Sequence, residues 1–128
     1  MILPFLTIAS STHRGRGVFT TEPISANTTI EIAPVIVVNP NDREKLEQTL
    51  LYDYIFEWGD DHKMAAVALG YISIYNHSNQ PNCAYEMDFE HQTISITTIV
   101  DIAIGAELFI NYMCPEGPSS DPVWFEQH

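Results

Sequence analysis

The run TTIEIAPVIVV, from Thr28 to Val38, limits the possible folds more than any other part of the sequence. Its β-branched side chains lose rotamer freedom in a helix and pack well on the pleated surface of a sheet, so the run predicts a long strand. Pro34 stands in the middle of it and has no N–H to donate, which favours an edge position or a bulge. We therefore expect a fold built around a sheet that contains this strand.

Shorter segments on either side of this run also have the character of strands. Leu3–Ala9 is rich in β-compatible residues, and the polar, glycine-bearing stretch Ser10–Gly17 after it predicts a hairpin or a bend. Thr93–Ile99 alternates apolar and hydroxyl residues, as a half-buried strand does. A turn at Asp101–Gly105 separates that segment from the strand-like Glu107–Tyr112.

One stretch has helical character. Asp42–Trp58 opens with a capping residue and carries apolar side chains at roughly helical spacing, so it predicts helical turns. Met64–Leu69 is a short apolar segment that periodicity cannot assign between a strand and a buried helix, and Gly70 ends it in either case. The predicted fold class is mainly β with short helices.

The length of 128 residues corresponds to one domain with one hydrophobic core. Hydrophobic residues make up 45% and charged residues 17%, which is typical of globular proteins and excludes a disordered or fibrous chain. No internal repeat, low-complexity block or charged linker divides the sequence. We expect a single domain over residues 1–128.

Acidic residues outnumber basic ones, with 17 Asp and Glu against 5 Lys and Arg, for a net charge of −12. No Lys or Arg occurs from Met64 to His128. A negative field of this size repels phosphate backbones, so direct binding of nucleic acid is not expected. The same field attracts a basic peptide or a Lys-rich tail, although high charge also serves solubility alone.

The two cysteines, Cys83 and Cys114, are too few for a disulfide scaffold or a four-thiolate zinc site, and they fit a reducing compartment. The apolar opening MILPFLTIAS lacks a basic region before it and is shorter than the roughly 18 residues of a membrane span. We expect a soluble, intracellular protein, in the cytoplasm, nucleoid or nucleus according to its source.

Three motifs contrast with this apolar background. Gly15-Arg16-Gly17 predicts either an ordinary β-turn or a place where the backbone approaches a ligand, because glycine leaves space and permits unusual dihedral angles. NHSNQPN, Asn76–Asn82, is a dense cluster of hydrogen-bonding side chains, and its His77 is a structural histidine or a metal ligand with the two cysteines. Tyr112 ends the strand-like run GAELFINY and either seals the core or projects its hydroxyl into a cleft.

Together, GRGVF near the start, NHSNQPN in the middle and GAELFINY near the end occur in an order and spacing that resemble a SET domain. The segments DYIF, ALGYISIYNHS and IAIGAELFINY look most like the minimal viral SET histone-lysine methyltransferases. The resemblance implies a SET (β-clip) fold of several small sheets with a C-terminal pseudoknot. It also implies a domain core at about residues 3–113 and an aromatic tail at 114–128.

The activity implied by the resemblance is S-adenosylmethionine-dependent N-methylation of a lysine. Tyr112 is then the catalytic tyrosine, whose hydroxyl orients the methyl group and the attacking nitrogen. Trp124 or Phe125 is expected to close over the adenine or the substrate channel. The other residues expected against the cofactor S-adenosylmethionine are Gly15, Arg16, Gly17, Tyr75, Asn76 and His77.

The substrate lysine of a SET enzyme enters a narrow channel, and the resemblance suggests four residues for its wall. Tyr85 follows the NHSNQPN motif by three residues, where some members place a channel tyrosine. Tyr54 and Tyr71 are further candidates, each either for the channel wall or for core packing. Ile110 lies two residues before Tyr112, where many members have a Phe or Tyr that limits methylation. Because Ile110 favours space and Tyr85 opposes it, the number of methyl groups added stays open.

The sequence departs from the family pattern at several positions. Asn79 stands where many members have a zinc-binding Cys, so no metal is expected. Asn111 replaces a common Asp and Met113 a common Gly, so the turn after Tyr112 is expected to differ. Met113 and the shortened tail motivate an alternative function, a catalytically weak or inactive SET module that binds a basic protein partner.

The resemblance also implies partners. A basic, lysine-containing protein is expected as the substrate, and both a histone tail and a ribosomal protein meet that description. Neither nucleic acid nor a membrane is expected as a direct ligand. Since the minimal viral enzymes are dimers, a homodimer is expected as well.

Overall fold

The computed structural model describes residues 1–12 and 15–118, and it folds them into several small sheets with short helices between them. The strands are β1 Leu6–Ser10, β2 Arg16–Thr20, β3 Thr29–Val38, β4 Ile55–Trp58, β5 Met64–Ala68, β6 Asn76–His77, β7 Cys83–Asp88, β8 Thr93–Thr98 and β9 Glu107–Ile110. The helices are α1 Pro40–Leu46 and the 3₁₀ helices Leu50–Asp53 and Ile72–Ile74. This mainly β architecture confirms the predicted fold class. Within the described ranges, no helix is long and apolar enough to cross a bilayer.

Strand β3 is the centre of a five-stranded antiparallel sheet with the order β4-β5-β3-β8-β7. Its first part, Thr29–Pro34, pairs with β8, and its second part, Val35–Val38, pairs with β5. Pro34 therefore lies where the pairing passes from one neighbour to the other, a position that tolerates a missing N–H. The predicted edge position is wrong, and the register shift of β3 lies at Thr29–Glu31 rather than at Pro34.

The second sheet has the order β1-β2-β9-β6, and β1 and β2 form the predicted antiparallel hairpin. Strand β6 is only the pair Asn76–His77, and it runs parallel to β9, with Asn76 opposite Phe109 and His77 opposite Ile110. This parallel pairing brings the NHSNQPN motif against the C-terminal segment, as the predicted pseudoknot requires.

The side chain of Asn82, the last residue of that motif, binds the backbone of β9. Its Nδ2 donates to the carbonyl of Glu107 at 2.8 Å, and its Oδ1 accepts from the N–H of Phe109, also at 2.8 Å. One amide side chain thus supplies both a donor and an acceptor to β9, as a neighbouring strand would. The loop after β6 is thereby held against the strand that leads to Tyr112.

The region predicted to be helical divides into three elements. α1 begins after Asn39, whose side chain accepts from the Asp42 N–H, and Pro40 occupies its first turn. After the 3₁₀ helix Leu50–Asp53, the segment Ile55–Trp58 is a strand rather than a helix. Tertiary pairing overrides the helical spacing here because β5 offers a complete antiparallel partner. The segment that periodicity left unassigned, Met64–Leu69, is accordingly strand β5.

The two edge strands of the five-stranded sheet, β4 and β7, meet through aromatic contacts. The rings of Phe56 and Tyr85 lie 5.9 Å apart, and Trp58 packs edge-on against Phe89 with centroids 4.9 Å apart. Phe89 follows β7 directly, so both contacts join opposite edges of one sheet. The sheet is therefore curved until its outer strands face each other.

A single hydrophobic core joins the two sheets. Strand β8 shows the predicted alternation, with Ile94, Ile96 and Thr98 buried and the residues between them partly exposed. Other fully buried side chains, which come from both sheets and the turns between them, are Val18, Ile30, Ala66, Ile72, Tyr75, Cys83, Leu108 and Ile110. The C-terminal strand β9 therefore lies inside the domain, and it anchors the residues that follow it.

Gly70 follows β5 in the left-handed region, with φ +65°, and a Cβ there would lie 2.3 Å from Oε2 of the buried Glu31. Gly70→Ala adds backbone strain to a clash with a buried carboxylate, so we expect the free energy of unfolding to fall by about 2–4 kcal/mol. Gly105→Ala is the matched control, because φ is +83° there and no heavy atom lies within 4 Å of the added Cβ. It should cost about 1 kcal/mol. Urea denaturation measures both losses, and equal values would contradict the packing argument.

Candidate functional site

A cleft of about 870 Å³ opens beside the facing strands β4 and β7, large enough for a ligand the size of a nucleoside derivative. Its rings are Tyr52, Tyr54, Phe56, Tyr85 and Tyr112, its carboxylates are Glu47, Asp53 and Glu57, and its cationic groups are Arg16 and Arg43. The remaining lining residues include Gly15, Ser73, Asn76, Met87 and Met113. Aromatic faces beside carboxylates suit a ligand that carries a cationic group on an apolar stem.

Tyr112 is held in this cleft at three of its own atoms. Its N–H donates to Nδ1 of His77 at 3.0 Å, and its carbonyl accepts from the Tyr85 hydroxyl at 2.8 Å. Its side-chain hydroxyl donates to the backbone carbonyl of Tyr75. Because the hydroxyl proton points to that carbonyl, the phenolic oxygen acts towards a ligand as an acceptor.

The His77 ring is a structural link rather than a free base. Nδ1 accepts from the Tyr112 N–H, so the neutral ring carries its proton on Nε2, which then donates to Oδ1 of Asn79 at 3.1 Å. The ring is buried and lies 5.3 Å from the Tyr112 ring. His77 therefore fixes the backbone of Tyr112, and Asn79 fixes the tautomer of His77.

The Tyr85 side chain supports the same segment from the opposite side. The backbone N–H of Tyr85 also donates to the carbonyl of Pro115 at 3.0 Å, in addition to the bond from its side-chain hydroxyl to the Tyr112 carbonyl. Burial and then the Glu116 carboxylate raise the pKa of Tyr85, so its hydroxyl stays protonated and remains a donor. Strand β7 thus holds the chain after β9 in place.

Asn76 and Glu107 join the β2 end of the cleft to β9. The Asn76 amide nitrogen donates to the carbonyl of Arg16 at 3.0 Å and to Oε2 of Glu107 at 2.8 Å. Oε1 of Glu107 accepts from the Ser11 hydroxyl at 2.7 Å. A Cβ on Gly17 would clash with the Glu107 carboxylate, so this glycine makes room for Glu107.

Arg43 organises the opposite wall, although nothing in the sequence marked it except its rarity as a cation. Its guanidinium donates to the carbonyls of His62 and Met64, at 2.5 and 3.2 Å. It also forms salt bridges with Glu47 at 3.2 Å and Glu57 at 3.3 Å. One side chain from α1 thus ties the helix to the turn between β4 and β5.

Six of the residues singled out in the sequence lie together in the cleft: Gly15, Arg16, Tyr54, Asn76, Tyr85 and Tyr112. Gly17 and His77 lie directly behind that lining, where they contact Glu107 and Tyr112. Trp124 and Phe125 lie outside the described residues. The sequence motifs therefore converge on one place, although they are far apart along the chain.

Three expected side chains point elsewhere, which corrects their assignment to the lining. Tyr75 is fully buried and donates its hydroxyl to Oε1 of Glu31 at 2.8 Å, so only its carbonyl serves the site. Tyr71 packs against the core from the turn before Ile72, and Ile110 is fully buried in β9. The Ile110 side chain has no exposed surface because it packs in the hydrophobic core.

The turn after Tyr112 is stabilised by the residue that departs from the family pattern. Oδ1 of Asn111 accepts from the Met113 N–H at 3.0 Å, and Asn111 is itself buried. This bond closes a tight turn without a glycine at position 113. Met113 is exposed at the cleft.

The described ranges contain no cluster of three or more His, Cys, Asp or Glu side chains that is arranged to hold a metal ion. Cys83 is fully buried, and burial raises the pKa of its thiol to about 12. The Cys114 thiol instead donates to Glu116 at 3.3 Å. His77 is engaged with Tyr112 and Asn79, so the three residues considered for a metal do not meet.

Comparison with known proteins relates this site to a family. The family model described as the SET domain matches residues 15–113. A Schizosaccharomyces pombe protein named histone-lysine N-methyltransferase, H3 lysine-37 specific, is 36% identical over 122 residues, which cover 94% of this chain and 77% of that protein.

Solved structures share the fold at lower identity. A candidate histone methyltransferase of Plasmodium falciparum matches with a TM-score of 0.66 and 24% identity, over 97% of this chain and 99% of that one. Polycomb Repressive Complex 2 of Chaetomium thermophilum, solved with S-adenosylmethionine bound, matches with a TM-score of 0.74 and 19% identity, over 89% of this chain and 16% of that one. At these identities the likeness concerns the fold alone.

The bond from Tyr85 to the Tyr112 carbonyl can be tested by deleting one oxygen. Tyr85→Phe removes the donor but keeps the ring against Phe56, so we expect the free energy of unfolding to fall by about 1–2 kcal/mol. Tyr52→Phe is the matched control, because the Tyr52 side chain is half exposed, and it should change stability by less than about 0.5 kcal/mol. Thermal denaturation compares the two variants, and equal stabilities would contradict the role of this bond.

Proposed function

The chain belongs to the SET domain family, and from this membership we propose that its cleft transfers a methyl group to a lysine of a histone H3 tail. The protein is an S-adenosylmethionine-dependent protein-lysine N-methyltransferase, as members of this family are, and a basic protein is its substrate. The observation that carries the proposed mechanism is the placement of the Tyr112 hydroxyl at the cleft, oriented by the Tyr75 carbonyl.

The residues at the β2 end of the cleft fit S-adenosylmethionine. Gly15 has φ +56° and no heavy atom within 4 Å of the position of a Cβ, so its backbone is open to a ligand. The Arg16 guanidinium is available to pair with a carboxylate. Asn76 uses its amide nitrogen within the protein, which leaves Oδ1 to accept from an ammonium or amino group. When bound, S-adenosylmethionine supplies a methyl group made electrophilic by a sulfonium sulfur.

The chain's own contribution to the chemistry is alignment and desolvation. An attacking lysine has to be neutral, and its pKa in water is about 10.4. Aromatic walls from Tyr54, Phe56 and Tyr85 remove water from the amine and so favour its neutral form. The phenolic oxygen of Tyr112 accepts a hydrogen bond from the amine or a polarised methyl C–H, and this holds the two reacting atoms in line. Alignment of this kind is worth about 7–11 kcal/mol in well-oriented reactions.

The charge of the protein supports a basic substrate. The net charge is −12, and carboxylates of Glu47, Asp53 and Glu57 line the cleft itself. Such a field speeds the approach of a Lys-rich segment and opposes nucleic acid. We choose histone H3 over a ribosomal protein because the S. pombe relative is named for a lysine of histone H3. The nucleus is then the proposed place of action.

Methyl transfer is tested with radiolabelled S-adenosylmethionine and two separate substrates, core histones and ribosomal proteins. Label on histone H3 is expected with the natural protein. Tyr112→Phe should retain the fold and cofactor binding but lower kcat by at least about 10²-fold, because the oxygen that aligns the amine is gone. Full activity of that variant would contradict the role of Tyr112. Label on ribosomal proteins alone would overturn the proposed substrate and leave the enzyme class intact.

We also propose that the protein is a homodimer, a state supported by its resemblance to the minimal viral enzymes. Sedimentation equilibrium is expected to give about twice the chain mass of 14.5 kDa. A mass of 14.5 kDa at micromolar concentration would contradict this proposal.

A further inference from the structure

Glu31 is a carboxylate buried at the centre of the larger sheet, in strand β3, with no exposed surface. Oε1 accepts from the Tyr75 hydroxyl at 2.8 Å, and Oε2 accepts from the Tyr71 N–H at 2.7 Å. Both donors are neutral groups. Burial raises the pKa of Glu31, and the hydrogen bonds from Tyr71 and Tyr75 lower it by less. Burial of a carboxyl group costs free energy, and its two hydrogen bonds offset only part of that cost.

The two donors stand at opposite ends of one turn. Tyr71 precedes the 3₁₀ helix Ile72–Ile74, and Tyr75 follows it. The turn is closed by the Ile74 N–H, which donates to the Tyr71 carbonyl at 2.8 Å. A single carboxylate therefore holds both ends of the segment Tyr71–Tyr75.

The carbonyl at the end of this turn is the one that accepts the Tyr112 hydroxyl. Its position depends on the Tyr75 side chain, which extends into the core and ends on Glu31. The approach of Gly70, whose added Cβ would lie 2.3 Å from Oε2, leaves the carboxylate little room to move. Displacement of Glu31 or Tyr75 would thus displace the acceptor that aims the Tyr112 hydroxyl.

We infer that Glu31 is a positioning residue for methyl transfer, which orients the Tyr112 hydroxyl through the side chain and carbonyl of Tyr75. The inference rests on the proposed role of Tyr112 in that reaction. Glu31 itself touches no substrate, because it has no exposed surface and does not line the cleft.

Steady-state kinetics of three variants test this role. Tyr75→Phe removes the bond to Glu31 and should lower kcat about tenfold with KM for both substrates nearly unchanged, since one hydrogen bond is worth about 1–1.5 kcal/mol. Glu31→Gln should keep kcat within about threefold of that of the natural protein. The oxygen of the new amide accepts from the Tyr71 N–H, and the amide nitrogen donates to the Tyr75 hydroxyl oxygen. Glu31→Ala loses both bonds and should be the slowest of the three.

Thr98→Val is the control for lost buried hydrogen bonds, because Thr98 is a fully buried residue of β8 that does not line the cleft. Its hydroxyl donates to the Ser25 carbonyl at 2.7 Å and accepts from the Thr28 N–H at 3.0 Å. The Thr98→Val variant should lower stability at least as much as Tyr75→Phe does, with kcat unchanged. Equal kcat for Tyr75→Phe and Thr98→Val would overturn the inference. So would a loss in Tyr75→Phe that appears only as a higher KM.

A second readout needs no methyl transfer and applies even to a variant that is inactive. NMR of protein labelled with ¹³C at the Cζ atoms of its 6 tyrosines reports the environment of each hydroxyl, and Tyr112→Phe assigns the Tyr112 signal. We expect that signal to shift in Tyr75→Phe and to stay in place in Thr98→Val. A Tyr112 signal unmoved in Tyr75→Phe would overturn the positioning role. If the natural protein transfers no methyl group but the Tyr112 signal still shifts in Tyr75→Phe, the positioning role is supported and the proposed function fails.

Discussion

The parallel pairing of β6 with β9 is only two residues long, and the geometry of the site depends on it. Because His77 lies opposite Ile110, its ring reaches the N–H of Tyr112 two residues further on. Because Asn76 lies opposite Phe109, its amide reaches the Glu107 carboxylate on the same strand. A shift of one residue would turn each of these side chains to the other face. The Asn82 side chain, bonded twice to β9, secures this register.

The cleft itself results from the curvature of the larger sheet. Contacts of Phe56 with Tyr85 and of Trp58 with Phe89 bring its two edges together, so apolar ring faces enclose a space at the surface. Arg43 then secures the wall on the α1 side through two carbonyls and two carboxylates. Since these salt bridges are only partly shielded, each contributes little energy, and their value lies in fixing geometry. The result is a site with aromatic walls, an acidic rim and one oriented hydroxyl.

Local chemistry explains which parts of the fold could be predicted. The strands over Thr29–Val38 and Thr93–Thr98 have β-branched or alternating patterns that hold in any context, and they were predicted nearly to their ends. Ile55–Trp58 has helical spacing but became a strand because β5 pairs with it. Strand β6 has two residues and is too short to carry a pattern, and β7 was missed although Cys83, Tyr85 and Met87 alternate with more polar or smaller residues. Glu31 and Glu107 were missed as site residues because a single carboxylate in a strand gives no signal until its partners are known.

The sequence by itself determined the family, the enzyme class and the identity of Tyr112, Asn76 and His77 as the residues to examine, because those depend on motifs in a fixed order. It also determined the negative field that favours a basic substrate. Only the tertiary structure decided that Tyr75 contributes a carbonyl instead of a side chain, that Gly17 makes room for Glu107, and that Ile110 and Tyr71 lie outside the cleft. The reason is physical. Residue type sets which hydrogen bonds a side chain can make, but burial and distance select the partner, and both arise from pairings between distant segments.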